Sequence, residues 1–426
     1  MELKDKKTTI TFHAGILTIG GTVIEVAYEN SHIFFDFGTE FRPELVLKDE
    51  SLLTLIKHQL VPELDNIYDP KLGYKNSNVL NGYDHTAVFI SHCHLDHTRM
   101  INYLDPAIPM YALKETKILL EALNENNDFV LPFLYQSEKY TRDIIGLNNL
   151  DIVNVGDIEV KVFRVDHDAY GAMGIRITTP DMTVTYTGDL RLHGFNEQDT
   201  LDFCQANFQT DVLIMEGVSI SFEDQPERSN EGRFNSEEEL VDEICATVNE
   251  FEGKPATFNV YPANLLRIKK IIEKSPRKVV LEANLAVILK EVFGMDVNYY
   301  QKITSNHNLN TSLEIDYDII RSDRGDYFWQ IVENFGDIEV GGVYIHSDAA
   351  PLGDFDPAYN PFVEQFASIG VIFKKMTCSG HAHKEDLNKI ISLIQPKLLI
   401  PIHTLKPELL ENPYGNRYLP KRSEKI

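Results

Sequence analysis

The stretch Ser91-His92-Cys93-His94-Leu95-Asp96-His97 constrains this chain more than any other. It follows the apolar run Ala87-Val88-Phe89-Ile90, which reads as a buried strand, and precedes Met100-Ile101-Asn102-Tyr103-Leu104, which reads as the start of a helix. The motif therefore sits on a strand-to-helix turn. His92 and His94 are two positions apart, so in extended backbone they face the same side and can share one metal ion. Asp96 and His97 aim elsewhere as the chain turns, and two adjacent ions follow as the natural reading. Imidazole and carboxylate crowded at a strand end suit borderline divalent metals, and packing offers no reason for them.

The run has the form H-x-H-x-D-H and resembles the signature of the metallo-β-lactamase superfamily of metallohydrolases. The resemblance implies an α/β fold, an αββα sandwich. It also implies that His167, at the end of the strand Val160–Val165, joins His92 and His94 as the third ligand of one site. Asp189 closes the strand Val184–Asp189, and its carboxylate can lie between two cations and offset their repulsion. Asp36, in Asp36-Phe37-Gly38, has two readings: a turn-initiating aspartate before glycine, or the aspartate that in the superfamily orients a metal histidine from beneath. His193 has no ligand position, and residues 43–84 suggest no role.

After the strand Asp211–Glu216 the sequence becomes polar and acidic. Ser236-x-x-Glu239 forms a capping box, and strand Ala256–Tyr261, helix Asn264–Lys274, strand Lys278–Glu282 and helix Asn284–Phe293 then alternate. That alternation predicts a parallel, Rossmann-like sheet, and no Gly-rich phosphate loop opens any of its helices. The strand Lys397–Ile402 again ends in a histidine, His403, which can complete a second site with Asp96 and His97 only if the C-terminal segment rejoins the first domain.

Ser379-Gly380-His381-Ala382, a helix, and Pro396-Lys-x-x-x-Pro-x-His403 resemble the closing motifs of the β-CASP branch, particularly RNase J-like enzymes. The expected organisation is residues 1–215 as the first part of the metallo-β-lactamase domain, 216–374 as an inserted β-CASP-like domain and 375–426 as the return. By resemblance Glu216 matches the acidic β-CASP motif, His381 the next and His403 the last. Ser379, Gly380 and His381 fall on the substrate side. Asn264 and Arg267 resemble residues near the substrate backbone, while from the residues alone they read equally as a helix start with a solvated arginine.

Composition bears on partners. With 40 Lys and Arg against 65 Asp and Glu the formal charge is −25, poor for general nucleic-acid binding, so any polyanion contact must be local and metal-assisted. The run Arg267, Lys269, Lys270, Lys274, Arg277, Lys278 can compensate only if it is more than a solvated helix face. Four cysteines without a C-x-x-C pair suit a reducing compartment, and no signal peptide or membrane span is visible, so the expected location is cytoplasmic. The chain runs only to residue 426 beyond His403, which predicts no further C-terminal domain of the kind common in RNase J; a homo-oligomer stays open.

The first functional expectation is a nuclease with two divalent ions, zinc or alternatively manganese, acting on RNA or single-stranded DNA. Asp96, Glu216 and His381 would act in the chemistry. The second is a small-molecule hydrolase, a lactonase or cyclic phosphodiesterase. A non-catalytic scaffold fits least, because all seven expected ligands are present.

Overall fold

The computed structural model describes residues 5–40, 42, 44–74, 85–127, 129–133, 135–136, 139–222, 232–302, 308–322, 325–353 and 356–426. Parts of the unassigned 43–84 segment and of the acidic stretch after Glu216 lie outside these. The chain divides into two compact units: Met1–Leu192 with Asn196–Gln225 and Gly380–Ile426, and His193–Phe195 with Pro226–Ser379.

The first unit contains two seven-stranded sheets. In one, the meander Thr9–Ala14, Val23–Tyr28, Ser31–Phe35 pairs antiparallel, and His85–Phe89, Met110–Leu113 and Ile145–Leu147 continue it in parallel. In the other, the antiparallel strands Ile152–Val155, Ile158–Arg164, Met173–Thr178 and Thr183–Tyr186 are followed in parallel by Val212–Glu216 and Leu398–Ile402. Alternating residues from both, among them Phe12, Ile24, Val26 and Phe35 from one and Val160, Ile175, Val184 and Ile214 from the other, form one buried cluster, as stacked sheets require. Helix Lys384–Ile394 covers the second sheet with Leu387, Ile390 and Ile391.

The second unit is built on a six-stranded parallel sheet in the order Tyr299–Tyr300, Lys278–Glu282, Tyr327–Gln330, Ala256–Val260, Val343–Ser347, Ile372–Lys375. Helices Glu237–Glu250, Leu265–Lys274 and Ala283–Phe293 follow the expected alternation, and Ser236 Oγ accepts from the Glu239 N–H as the capping box predicts.

Two expectations need correction. Residues 100–104 do not begin a helix: a four-residue helix Leu95–Thr98 and a 3₁₀ turn Ile101–Tyr103 occupy this stretch, because Met100 N–H is drawn to Phe37 O. The divisions between the units fall after Gln225 and Ser379 rather than at 215 and 374. Glu216 and the turn Ser219–Phe222 stay with the first unit, where Ser221 bonds Thr404, and Ile372–Lys375 is a strand of the parallel sheet.

Candidate metal centre

All the candidate ligands lie at strand ends of the first unit. His92 and His94 follow the strand His85–Phe89, and His94 then caps the helix Leu95–Thr98 that carries Asp96 and His97. His167, Asp189 and His403 follow Ile158–Arg164, Thr183–Tyr186 and Leu398–Ile402. Parallel strands deliver their C-terminal ends to one edge, so residues distant in sequence converge there.

Three overlapping groups have ligand atoms within 4.8 Å of one another: His92, His94, His167 and Asp189; His92, Asp96 and His97; His97, Asp189 and His403. Asp189 belongs to the first and the third of these, with Oδ2 3.2 Å from His97 Nε2 and 3.6 Å from His92 Nε2, and Oδ1 3.4 Å from His403 Nδ1. Asp96 Oδ2 lies 3.5 Å from both His97 Nε2 and His403 Nε2. His92 Nε2, His97 Nε2, Asp189 Oδ2 and both ring nitrogens of His403 are buried without a hydrogen-bond partner. Buried polar atoms are normally satisfied, and atoms converging at these separations fit a divalent ion as the missing partner.

Two family models match: the Beta-lactamase superfamily domain over residues 76–230 and the Zn-dependent metallo-hydrolase RNA specificity domain over 373–411. The chain is 22% identical to Ribonuclease J of Mycoplasma genitalium, over 93% of this chain and 68% of the relative. These matches support the RNase J-like β-CASP branch of the metallo-β-lactamase superfamily. It is also 23% identical to a probable RNase of Methanocaldococcus jannaschii, covering 92% of each. A crystal structure of a protein of unknown function from Enterococcus faecalis superposes with a TM-score of 0.95, at 56% identity and 99% of both chains. The Zn-dependent metallo-hydrolase match and the His and Asp cluster together support metal binding.

Beneath the centre, Asp36 accepts from Ser91 N–H at 2.7 Å, Ser91 Oγ at 2.9 Å and Tyr186 O–H at 2.5 Å, and pairs with His97 Nδ1 at 2.8 Å. Held there, His97 presents Nε2 to Asp96 and Asp189. Asp36 has φ 60°, which aspartate tolerates better than most residues. A Cβ on Gly38 would fall 1.8 Å from the Asp96 carbonyl, so only glycine lets this loop pass. On the other side His167 Nδ1 donates to Gly380 O at 2.5 Å. Arg191 Nε donates to the Asp166 carboxylate at 2.9 Å, fixing the loop that carries His167. Ser91, Tyr186, Asp166 and Arg191 escaped sequence reasoning because each is defined by a partner far away in the chain.

Charge is distributed unevenly. Burial holds the His92 imidazole well below its ordinary range, and it pushes His167 down to about 3, so both keep a lone pair for a ligand. Burial opposes protonation of His97 too, yet Asp189, Asp96 and Asp36 outweigh it and raise that ring. His381 lies beside the centre with Nδ1 3.3 Å from Glu216 Oε1 and 3.8 Å from Asp189 Oδ2. Against burial, Glu216, Asp189 and Asp168 lift it to about 10. Glu216 is itself fixed by Val218 N–H at 3.0 Å. Cys93 is buried and its thiol is pushed up by burial, which leaves it inert between the histidines.

Asn264 and Arg267 are brought elsewhere. Both are buried in the second unit, where Asn264 accepts from Arg267 N–H as a helix N-cap and donates to Glu237. The Arg267 guanidinium forms a two-pronged pair with Glu237 at 2.7 and 2.8 Å and reaches Asp348 at 2.6 Å. They form a buried network in which every prong is directed at an internal acceptor, which favours the structural reading of this pair over substrate contact. Ser379 belongs to the second unit, where its carbonyl accepts from His193 Nε2 at 2.9 Å.

Proposed function

We propose that the chain is a metal-dependent phosphodiesterase that hydrolyses RNA. The observation that carries this is the convergence of seven His and Asp donors beside a paired His381 and Glu216. A lactonase or cyclic phosphodiesterase would need the donors without that pair, and the similarity to Ribonuclease J over most of the chain supports RNA.

His92, His94 and His167 would hold one divalent ion, and Asp96, His97 and His403 a second, with Asp189 shared. Zinc is the first candidate, and manganese the second. Such ions supply a hydroxide near neutral pH and polarise the phosphoryl group. Asp36 holds the His97 ring in one tautomer, and Gly380 O does the same for His167. His381, with Nδ1 3.3 Å from Glu216 Oε1, offers an N–H where charge accumulates on the phosphoryl oxygens. Glu216 keeps that ring in place, and His381 can pass a proton to the departing oxygen. Gly380 and His381 form the backbone and side chain that meet the scissile phosphate.

Cleavage of 5′-labelled single-stranded RNA by metal-loaded protein tests this. Asp96→Ala is expected to abolish turnover, and His381→Ala to lower it by about 10²–10³. RNA left intact by protein with both ions bound would sink the reading and direct attention to small phosphodiesters and lactones.

A further inference from the structure

Asp168 follows His167 directly and has no part in the ligand set above, yet its surroundings are those of a ligand. Its Oδ1 is buried and makes no hydrogen bond. It lies 3.2 Å from His167 Nε2 and 3.3 Å from His94 Nε2, while His94 Nδ1 is 3.2 Å from the same His167 nitrogen. The Gly380 carbonyl only accepts, so the His167 nitrogen bonded to it carries the hydrogen, and in the neutral ring Nε2 presents a lone pair. A carboxylate oxygen is likewise an acceptor. Two buried acceptors 3.2 Å apart repel unless a cation joins them. Atoms bound at about 2.0–2.1 Å to one ion stand roughly 2.9–3.3 Å apart, the octahedral and tetrahedral edges, and the distance from Asp168 falls in that interval.

The chain makes room for this carboxylate. A Cβ on Gly380 would come within 2.5–2.7 Å of the carboxyl atoms of Asp168, so the glycine of Ser379-Gly380-His381 is what allows the loop to close on it.

From this we infer that Asp168 is a further direct ligand of the ion held by His94 and His167, which makes that site richer in oxygen than three histidines and the shared Asp189 would. This rests on the reading of the cluster as a two-metal centre. An added carboxylate shifts preference toward oxygen-seeking ions such as Mn2+.

The test is metal binding by the full chain, with Mn2+ titrated against a chromophoric chelator and Co2+ absorption recorded for wild type, Asp168→Ala and Asp168→Asn. Melting of each metal-free variant serves as the check on folding. The expected result is two ions in wild type, one of them bound at least about 10-fold more weakly in both variants, with an altered Co2+ spectrum and unchanged metal-free melting. Unchanged affinity would overturn the inference. So would weaker binding with the Co2+ spectrum preserved, because Asp168 would then only orient His94. If wild type itself binds no ion, the two-metal reading fails, a result distinct from either.

Discussion

At the scale of single residues, position in the fold separates chemically similar groups. Asp36 and Asp189 are both buried, yet the first makes four contacts that lock Ser91, Tyr186 and His97, while Oδ2 of the second is without a hydrogen-bond partner and faces donor atoms. Asp36→Asn keeps the backbone conformation and removes the charge that orients His97. It is expected to weaken metal binding about 10–100-fold, measurable by chelator competition. Arg267 offers the opposite lesson. Its sequence context suggests a phosphate contact, whereas its guanidinium lies against Glu237 and Asp348. Arg267→Ala is expected to destabilise the second unit by roughly 3–5 kcal/mol, read from urea unfolding, since a buried carboxylate loses its partner. An unchanged urea midpoint with weakened RNA binding would restore the substrate role.

At the scale of elements, periodicity located most helices and strands, and failed where a short segment answers to distant partners. Residues 95–103 are split into two short turns by the Asp36–Gly38 loop passing beneath them. The basic run around helix Leu265–Lys274 is engaged within its own unit: Lys270 pairs with Glu273, Lys274 with Glu238 and Asp242, and Arg277 donates to carbonyls of Val248, Phe251 and Lys254. Strand pairing also sets a pH response. Glu25, on Val23–Tyr28, bonds His13 at 2.9 Å and His32 at 2.6 Å on the two neighbouring strands. Burial raises its carboxyl, but these hydrogen bonds outweigh it and bring the group from 4.5 to about 2. A folded value below the unfolded one gives stability that is present above about pH 4.5 and lost as pH falls toward 2. Glu25→Gln should therefore flatten the decline of the urea midpoint between pH 5 and pH 2, by on the order of 2–3 kcal/mol.

At the scale of the molecule, every donor group found among the described residues lies in the first unit. Removing the metals is expected to lower the melting of that unit by about 5–10 °C in calorimetry, the equivalent of roughly 3 kcal/mol of lost ligand stabilisation, and to leave the transition of the second unit in place. Equal shifts of both would show that the centre is not confined as described. The sequence alone determined the chemistry of the donors and the alternating pattern of the second unit, because a metal motif and a hydrophobic period are local properties of the chain. It could not determine which nitrogen of each histidine faces the ion, that Asp36 lies under His97, that Asp168 points at His94 and His167, or that Arg267 is internal. Those depend on groups separated by tens to hundreds of positions, which only the packing of two sheets in the first unit, and of helices on the parallel sheet in the second, brings within reach.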